Sequence, residues 1–361
     1  MMVTAADHEF MRQALELAGR GLYTTTPNPR VGCVMVKDGT IVGAGWHESA
    51  GMPHAEMLAL KAAGARARGA TLYVNLEPCS HHGRTPPCAD AIIDAGVGRV
   101  VAAIQDPNPR VAGAGFAKLR AAGIAVERGP MEDEARELNI GFVARMTRGR
   151  PWVRMKIAAS LDGRTALASG KSQWITGETA RQDGHRWRAR ACALLTGFGT
   201  VRDDDPQLNV RGVDTPRQPL KIVVDSKFET SPSARLLKDG KTLVVGAVSE
   251  ERKIAALKAA GAEVIAIRND HGKVELFKLM EELARRELNE IHVEAGTKLN
   301  GSLLQAGVVD ELLVYLAPSV IGDSGRGMFH LPEITDLSRA RALRIREVER
   351  VGADLRILAR I

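Results

Sequence analysis

Aromatic residues are scarce in this sequence, at 4% of 361 residues, and cysteines number only four. The low aromatic content argues against a single-stranded nucleic-acid binder built on base-stacking platforms. Cys33, Cys79, Cys88 and Cys192 form no disulfide framework in a chain of this length, which is typical of a reducing compartment. Long apolar runs are also missing. The sequence therefore predicts neither a membrane-spanning helix nor a signal peptide, and we expect a cytoplasmic protein.

The composition that is present fits two globular domains. Hydrophobic residues make up 45% and charged residues 26%, and the length exceeds that of one typical hydrophobic core. The formal net charge of +7 favours an anionic partner. Because the basic residues are spread along the chain, a small phosphorylated ligand fits this charge as well as nucleic acid does. Taken with the motifs described below, we expect a small-molecule ligand, with no nucleic-acid and no membrane partner.

Apolar periodicity predicts two consecutive α/β domains. After an opening helix and a hairpin across Asp38–Gly39, strands alternate with helices, which indicates an α/β sandwich. The segment Arg145–Pro151 is basic, contains Gly and Pro, and lacks apolar periodicity. We therefore predict domains at 1–146 and 147–361. The second domain alternates buried strands with helices and closes in an antiparallel hairpin across Gly352.

One histidine and two cysteines form the strongest chemical pattern. His54 lies two residues before Glu56, and Cys79 and Cys88 follow in the order that is the signature of zinc-dependent nucleobase deaminases. Three protein ligands leave a fourth position for a water whose pKa zinc lowers toward ~7. Glu56 remains outside the ligand set, so it can take the proton from that water and pass it to the leaving amine. A zinc hydroxide deamination is the predicted chemistry.

The eight residues between the two cysteines, Ser80–Pro87, replace the two of the common deaminase motif. Arg84 offers a forked cation and His81 a further donor, so this insert suits a ribose phosphate beside the base. Asn28 stands between two prolines, and its amide can pair with a donor and an acceptor on a base edge. A purely structural zinc site remains an alternative, in which His81 or His82 supplies the fourth ligand.

The second domain has polar residues at strand ends, where ligands of α/β sheets bind. Residues 156–164 end one predicted strand in this way. Gly197–Thr200 suggests a dinucleotide turn, but the third glycine of the Rossmann fingerprint is replaced by Arg202, so that fold is not supported. The stretch Gly296–Ser302 leads into a predicted helix, and its backbone amides could hold a phosphate.

The first-half motifs resemble the deaminase half of the bifunctional riboflavin-biosynthesis family, over about residues 7 to 145. The residues that carry this resemblance are Pro27–Cys33, His54–Glu56 and Leu76–Cys88. It implies a cytidine-deaminase-like α/β/α sandwich, Zn²⁺ on His54, Cys79 and Cys88, and Glu56 as the proton shuttle. Asn75 stands where the family more often has Thr.

The second half resembles the reductase half of the same family, over about residues 151 to 361. The resemblance implies a dihydrofolate-reductase-like α/β domain that binds NADPH without a Rossmann fingerprint. Lys156 and Glu294 are then the catalytic candidates. The implied NADPH positions are Ala158, Trp174, Thr200, Asp204, Ser226, Gly296, Thr297, Lys298, Leu299, Asn300, Gly301 and Ser302. The implied substrate positions are Ser172, Arg188, Leu208, Arg211 and Glu294.

Together these features predict an enzyme with two activities on one phosphoribosyl pyrimidine. It would deaminate 2,5-diamino-6-ribosylamino-4(3H)-pyrimidinone 5′-phosphate, and NADPH would then reduce the ribosyl group to a ribityl chain. We also expect a homo-oligomer. One rival is a nucleoside or RNA-base deaminase with an accessory domain, and another is a zinc-stabilised binding protein without catalysis.

Overall fold

The computed structural model describes residues 3–80 and 87–361, and its chain divides into two compact units, Met1–Gly149 and Arg150–Ile361. The division falls inside the basic segment Arg145–Pro151. That segment is more regular than its sequence suggests, because a helix spans Ile140–Arg148. Its one apolar side faces the core through Phe142 and Ala144. None of the helices within the described ranges is long and apolar enough to cross a bilayer.

The first unit is built on a five-stranded sheet with helices on both faces. The strands are β1 (Gly32–Lys37), β2 (Thr40–Trp46), β3 (Thr71–Leu76), β4 (Arg99–Ile104) and β5 (Ala125–Arg128), and the helices are α1 (Ala5–Gly19), α2 (Ala55–Ala63), α3 (Cys88–Asp94), α4 (Ala114–Ala121), α5 (Glu132–Leu138) and α6 (Ile140–Arg148). The spatial order is β2-β1-β3-β4-β5, with the pairs β3–β4 and β4–β5 parallel. Residues of α2, α3 and α4 fill the core on one face, and residues of α1, α5 and α6 fill the core on the other. This is the predicted α/β/α sandwich.

Two glycines of β2 place helix α2. A Cβ on Gly43 would lie 2.2 Å from the Ala59 carbonyl oxygen, and one on Gly45 would lie 2.8 Å from that of Ala55. Real Cβ atoms do not approach main-chain oxygens so closely, so α2 rests directly on the strand backbone. The first turn of α2 is thereby fixed at the edge of the sheet.

The second unit contains a nine-stranded sheet in the order β11-β10-β9-β8-β12-β6-β13-β16-β15. Its strands are β6 (Trp152–Ser160), β8 (Ala193–Gly197), β9 (Leu220–Val224), β10 (Thr242–Gly246), β11 (Glu263–Ala266), β12 (Glu290–Val293), β13 (Glu311–Ala317), β15 (Arg344–Val351) and β16 (Asp354–Arg360), and β7 (Arg164–Ala166) and β14 (Arg326–Gly327) form a separate small pair. The pairs β13–β16 and β15–β16 are antiparallel and the other pairs of the large sheet are parallel, including β6 between β12 and β13. The closing hairpin across Gly352 is as predicted.

Five helices accompany this sheet, namely α7 (Glu178–Arg190), α8 (Phe198–Asp204), α9 (Glu251–Ala259), α10 (Leu276–Arg285) and α11 (Thr297–Gln305). Apolar residues of α10 and α11 pack on one face, as the sequence period suggests. Helix α7 was not predicted because it is polar all round. Its Trp187 ring lies 4.4 Å from the buried guanidinium of Arg154, so cation–π contact takes the place of an apolar stripe.

A buried ion cluster ties α1 to the sheet of the first unit. The Asp7 carboxylate accepts hydrogen bonds from Arg99 Nη1 at 2.7 Å, from the Tyr73 hydroxyl at 2.8 Å and from the Thr4 amide at 2.7 Å. Burial alone would raise the pKa of Asp7, but these donors hold it well below its usual value of 3.8. The cluster therefore stabilises the fold only while Asp7 is ionised.

We predict that Asp7→Asn lowers the stability of the first unit by about 2 kcal/mol at pH 7, because the charged hydrogen bonds from Arg99 to the buried Asp7 are lost and Arg99 keeps only Glu127 as a carboxylate partner. In the unmodified chain the same contribution is present above pH ~4 and is lost as the pH falls further. Hydrogen exchange of amides in α1 and β3 measures this unit separately. Glu9→Gln, which removes an exposed carboxylate on the same helix, is the control and should change the exchange little. Equal effects of the two variants would contradict the prediction.

Candidate active sites

Two helix N-termini and one strand end bring the predicted zinc ligands together. His54 immediately precedes α2, Cys88 is the first residue of α3, and Cys79 lies beyond the end of β3. His54 Nδ1 lies 3.2 Å from Cys88 Sγ and 3.6 Å from Cys79 Sγ, and the three ligand atoms all lie within 4.8 Å of one another. Tetrahedral zinc places such atoms about 3.5 to 4 Å apart, since its bonds are about 2.0–2.3 Å long. The donor set therefore fits zinc.

Three protein ligands are brought together in the part of the chain that the structure describes, and no fourth His, Cys, Asp or Glu joins them there. His81 and His82 lie outside the described residues, as does Arg84. Two of the predicted substrate positions, His81 and Arg84, therefore stay predictions, and so does a fourth ligand from the insert.

The protonation pattern of the triad favours a thiolate on Cys79, whereas the hydrogen bond with Cys79, together with burial, raises the pKa of the Cys88 thiol. A hydrogen bond from the Cys88 thiol lowers the pKa of Cys79 to about 4, and His54 and the Cys88 amide, whose nitrogen lies 3.3 Å from Cys79 Sγ, act in the same direction. The pKa of His54 is raised, chiefly by its hydrogen bond with Cys79. The positive ends of α2 and α3 add to this preference for negative charge.

Glu56 lies in the first turn of α2 and is only 4% exposed. Burial raises its pKa to about 7, although the neighbouring His54 opposes the shift. A carboxyl group with a pKa near the working pH can both accept and return a proton. The structure thus gives Glu56 the burial and the pKa that a proton shuttle needs.

A histidine that the sequence analysis missed, His47, contacts both Asn28 and the predicted metal ligand His54. His47 follows β2 and is 3% exposed, and its Nε2 lies 3.0 Å from Asn28 Nδ2. Its ring meets that of His54 edge-on, with the centroids 5.5 Å apart. Nothing in the one-dimensional pattern separates His47 from a surface residue, because its burial depends on the loop that leads to His54.

Glu77 is a second residue that sequence reasoning left without a role. Its buried carboxylate accepts hydrogen bonds from the backbone amides of Asp106 at 3.1 Å, Gly113 at 3.0 Å and Phe116 at 3.2 Å. A Cβ on Gly115 would lie 2.1 Å from the Pro78 carbonyl oxygen, so α4 packs directly on the main chain before Cys79. Glu77 therefore holds the Cys79 segment against the start of α4.

In the second unit, Glu294 and Arg188 form a half-buried ion pair. Arg188 Nη2 donates to Glu294 Oε2 at 2.7 Å, and Nη1 donates to the Asn209 carbonyl at 2.9 Å. The parallel register pairs Val293 with Met155, so Lys156 and Glu294 come next on neighbouring strands. Two predicted catalytic residues and one predicted substrate residue therefore meet at one place.

Charges at this place shift several pKa values. Burial lowers the pKa of Lys156, although the negative charge of Glu294 opposes this effect. Burial alone would raise the pKa of Glu294, but Arg188 and Lys156 hold it well below its usual range. His185, also missed from the sequence, has a pKa lowered to about 4 by burial and by Arg188 and Arg211.

The predicted phosphate ligands are also neighbours. The Arg211 amide donates to His185 Nδ1 at 3.2 Å, and partial burial and the charge of Arg188 lower the pKa of Arg211. Leu208 is buried in the loop before Arg211, and Ser172 is half-buried. Two guanidinium groups that repel one another suit an anion between them.

Only some of the predicted NADPH positions lie close together in the structure. Gly296 precedes the first residue of α11, which has no side-chain cap, and a Cβ on Gly296 would meet nothing closer than Thr200 Oγ1 at 3.9 Å. These open amides fit a dinucleotide phosphate. The other implied positions are Ala158, half-buried in β6, Trp174, 70% exposed, Asp204, exposed at the end of α8, and Ser226, half-buried after β9.

The expectation that all of Gly296–Ser302 forms a phosphate-binding loop needs correction. Residues from Thr297 onward are helical, and the Asn300 amide already donates to the Gly296 carbonyl at 3.0 Å. Gly301 packs against the His330 backbone, where a Cβ would lie 1.9 Å from a carbonyl oxygen. Only the amides of the first turn, Thr297 to Leu299, point outward without a helical partner.

The folds and sites define an enzyme that joins a zinc-dependent deaminase domain to a dihydrofolate-reductase-like reductase domain. The model of the cytidine and deoxycytidylate deaminase zinc-binding region matches residues 4–104, and that of the RibD C-terminal domain matches residues 151–357. The chain is similar to the riboflavin biosynthesis protein RibD of Escherichia coli K12, with 48% identity over 97% of this chain and 98% of that protein.

Solved structures agree with this assignment over the full length. The Acinetobacter baumannii RibD form 1 structure has 43% identity and a TM-score of 0.92, with 98% of both chains covered. A Thermotoga maritima diaminohydroxyphosphoribosylaminopyrimidine deaminase/5-amino-6-(5-phosphoribosylamino)uracil reductase has 34% identity and a TM-score of 0.87, again over 98% of each. The chain belongs to the RibD family.

We predict that Glu77→Gln weakens zinc binding by about 10- to 100-fold, because an amide cannot accept all three backbone hydrogen bonds and the Cys79 segment loosens. Competition with a chromogenic chelator measures the affinity. Asp94→Asn, which changes an exposed carboxylate at the end of α3, is the matched control. Zinc affinity that stays within twofold of the unmodified chain would show that Glu77 does not hold the ligand segment.

Proposed function

We propose that the two sites catalyse consecutive steps on one phosphoribosyl pyrimidine. The chain is a bifunctional riboflavin-biosynthesis enzyme with a deaminase domain and a reductase domain. The substrate of the first step is 2,5-diamino-6-ribosylamino-4(3H)-pyrimidinone 5′-phosphate, and the final product is 5-amino-6-ribitylamino-uracil 5′-phosphate. The convergence of His54, Cys79 and Cys88 beside the buried Glu56 carries the first half of this proposal.

In the deaminase domain, His54, Cys79 and Cys88 hold zinc and Glu56 moves the proton. Zinc bound there supplies Lewis acidity that lowers the pKa of a water molecule. The Glu56 carboxylate accepts the proton of the water that attacks the carbon bearing the 2-amino group. It then returns this proton to the amino nitrogen, which leaves as ammonia. Burial of Glu56 keeps its proton from exchanging with solvent during the transfer.

In the reductase domain, Arg188 and Arg211 bind the substrate phosphate while Lys156 and Glu294 lie beside the reacting carbon. NADPH, bound through the first turn of α11 and the neighbourhood of Thr200, supplies the hydride for the ring-opened sugar. Reduction of its C=N bond also requires one proton on nitrogen. Lys156, whose pKa burial lowers, is the cationic group next to Glu294 that can deliver it.

The remaining assignments concern partners and location. The net charge of +7 fits an anionic small molecule, and we propose no nucleic-acid or membrane partner. We further propose a cytoplasmic homo-oligomer. The family match over both units favours the fused enzyme over a nucleoside or RNA-base deaminase with an accessory domain. It also favours catalysis over a zinc-stabilised binding protein.

Replacing Glu56 by Gln should lower the rate of ammonia release by about 10²- to 10⁴-fold, since the amide cannot carry the proton. Zinc content and NADPH oxidation on pre-deaminated substrate should match the unmodified chain. A coupled ammonia assay and metal analysis test this expectation. Deamination that persists within a few-fold would remove Glu56 from the assigned role.

Replacing Lys156 by Gln should reduce substrate-dependent NADPH oxidation by about 10²- to 10⁴-fold while ammonia release stays normal, because the variant retains size and polarity but loses the transferable proton. Lys241→Gln changes an exposed lysine of the same domain and serves as the control. Stopped-flow absorbance of NADPH gives the rate directly. A Lys156→Gln enzyme with an unchanged rate would require another proton donor.

A further inference from the structure

The two guanidinium groups proposed to bind the substrate phosphate lie on different parts of the second unit. Arg188 belongs to helix α7, whereas Arg211 lies in a segment, 209–212, that is neither helix nor strand. Because such a segment has no regular ladder of main-chain hydrogen bonds, side chains must supply partners for its main-chain groups. The position of Arg211 relative to Arg188 therefore depends on the side chains that hold this segment.

Helix α7 contacts segment 209–212 through three side chains that are spaced three residues apart. In the middle of this set, His185 Nδ1 accepts a hydrogen bond from the Arg211 amide at 3.2 Å. On one side of it, Gln182 Nε2 lies 3.3 Å from where a Cβ on Gly212 would be. On the other side, Arg188 donates to the carbonyl oxygen at the start of the segment. Residues three apart are neighbours on a helix surface, so one side of α7 holds the whole segment.

The hydrogen bond from the Arg211 amide determines the form of the His185 imidazole. A main-chain N–H can only donate, so Nδ1 has a lone pair and the proton of the neutral ring is on Nε2. A protonated ring would lose this hydrogen bond, because both of its nitrogens would then be donors. Burial and the positive charges of Arg188 and Arg211 lower the pKa of His185 to about 4, which keeps the acceptor available at neutral pH.

Other contacts hold the neighbouring groups of the segment but not the Arg211 amide. Gln218 bonds both main-chain groups of Val210, the amide through Oε1 at 2.7 Å and the carbonyl through Nε2 at 3.2 Å. The Arg211 guanidinium donates to Asn209 Oδ1. Within the described part of the chain, the Arg211 amide bonds to His185 alone. Loss of the imidazole would therefore release the main chain from which the Arg211 side chain starts.

We propose that His185 is a positioning residue of the reductase domain, which holds Arg211 at the distance from Arg188 that a phosphate monoester requires. This inference rests on the proposed function, in which both guanidinium groups bind the 5′-phosphate of the substrate. Forked hydrogen bonds from two cations to one dianion are strongest in a fixed geometry. The ring thus acts on phosphate binding and not on the transfer of hydride.

The variant His185→Leu tests this inference, because leucine removes the acceptor and keeps a side chain of comparable size on α7. We expect KM for the deaminated phosphorylated substrate to rise about 10-fold in NADPH oxidation, while kcat stays within about twofold. The inhibition constant of inorganic phosphate should rise by the same factor. With the dephosphorylated substrate, kcat/KM should equal that of the unmodified chain. Equal losses on both substrates would show a general structural role and would overturn the proposal.

A conservative variant and a double-mutant cycle show whether His185 acts through Arg211. His185→Asn should regain most of the lost affinity, because its side-chain oxygen can accept from the Arg211 amide in place of Nδ1. In an Arg211→Met background, His185→Leu should change KM less than about twofold. Losses that multiply in the double variant would mean that the ring contacts the substrate independently of Arg211, and would contradict the proposed role.

His271→Leu, which replaces an exposed histidine of the same unit, is the matched control and should leave KM unchanged. Ammonia release should be normal in every variant. If the unmodified chain oxidises no NADPH with the deaminated substrate, the proposed function and the inference both fail. If it is active and KM of His185→Leu is unchanged, or His185→Asn is no better than His185→Leu, only the positioning of Arg211 by His185 fails.

Discussion

A carboxylate shielded from water needs hydrogen-bond donors for its oxygens. Each domain of this protein contains one such carboxylate, and its donors also position the site. Glu77 accepts hydrogen bonds from three backbone amides and thereby fixes the segment after β3 that carries Cys79. Glu294 gathers Arg188 and faces His292 Nε2 at 3.3 Å, and it lies beside Lys156. Because desolvated negative charge without such partners costs several kcal/mol, neither arrangement can loosen without loss of the site itself. These two carboxylates therefore fix the positions of the predicted catalytic groups.

The residues that interact with ligands are therefore only half of each site. In the deaminase domain, His54, Cys79, Cys88 and Glu56 are the proposed reacting set, whereas Glu77 holds the Cys79 segment and His47 contacts Asn28. In the reductase domain, Arg188 pairs with Glu294 and lies next to Arg211, so the proposed substrate contact and the ion pair use the same side chain. This double use explains why Arg188 and Glu294 cannot be separated into one structural and one catalytic residue by geometry alone.

The sequence predicted the parts whose physical signal is local. Hydrophobic period and turn chemistry located β3 and α2 to the residue, and motif spacing placed His54, Cys79 and Cys88 together. Helix α7 was missed because it has few apolar residues and part of its contact with the sheet is a cation–π contact and a hydrogen bond. His47 was missed because its burial depends on the loop that leads to His54, and Glu77 was missed because its hydrogen-bond donors are distant in sequence. The helix after Gly296 was expected, but its start was placed too late, because the structure begins α11 at Thr297.

Gly43 and Gly45 limit how this predicted zinc site could be transferred to another protein. Since α2 lies on bare main chain, the height of His54 and Glu56 above the sheet is set by peptide atoms and not by interlocking side chains. Repacking the surrounding core would leave that height unchanged, whereas a single methyl group on either glycine would displace ligand and proton carrier together. A transplanted site would have to include the β2 backbone along with the residues that bind the metal.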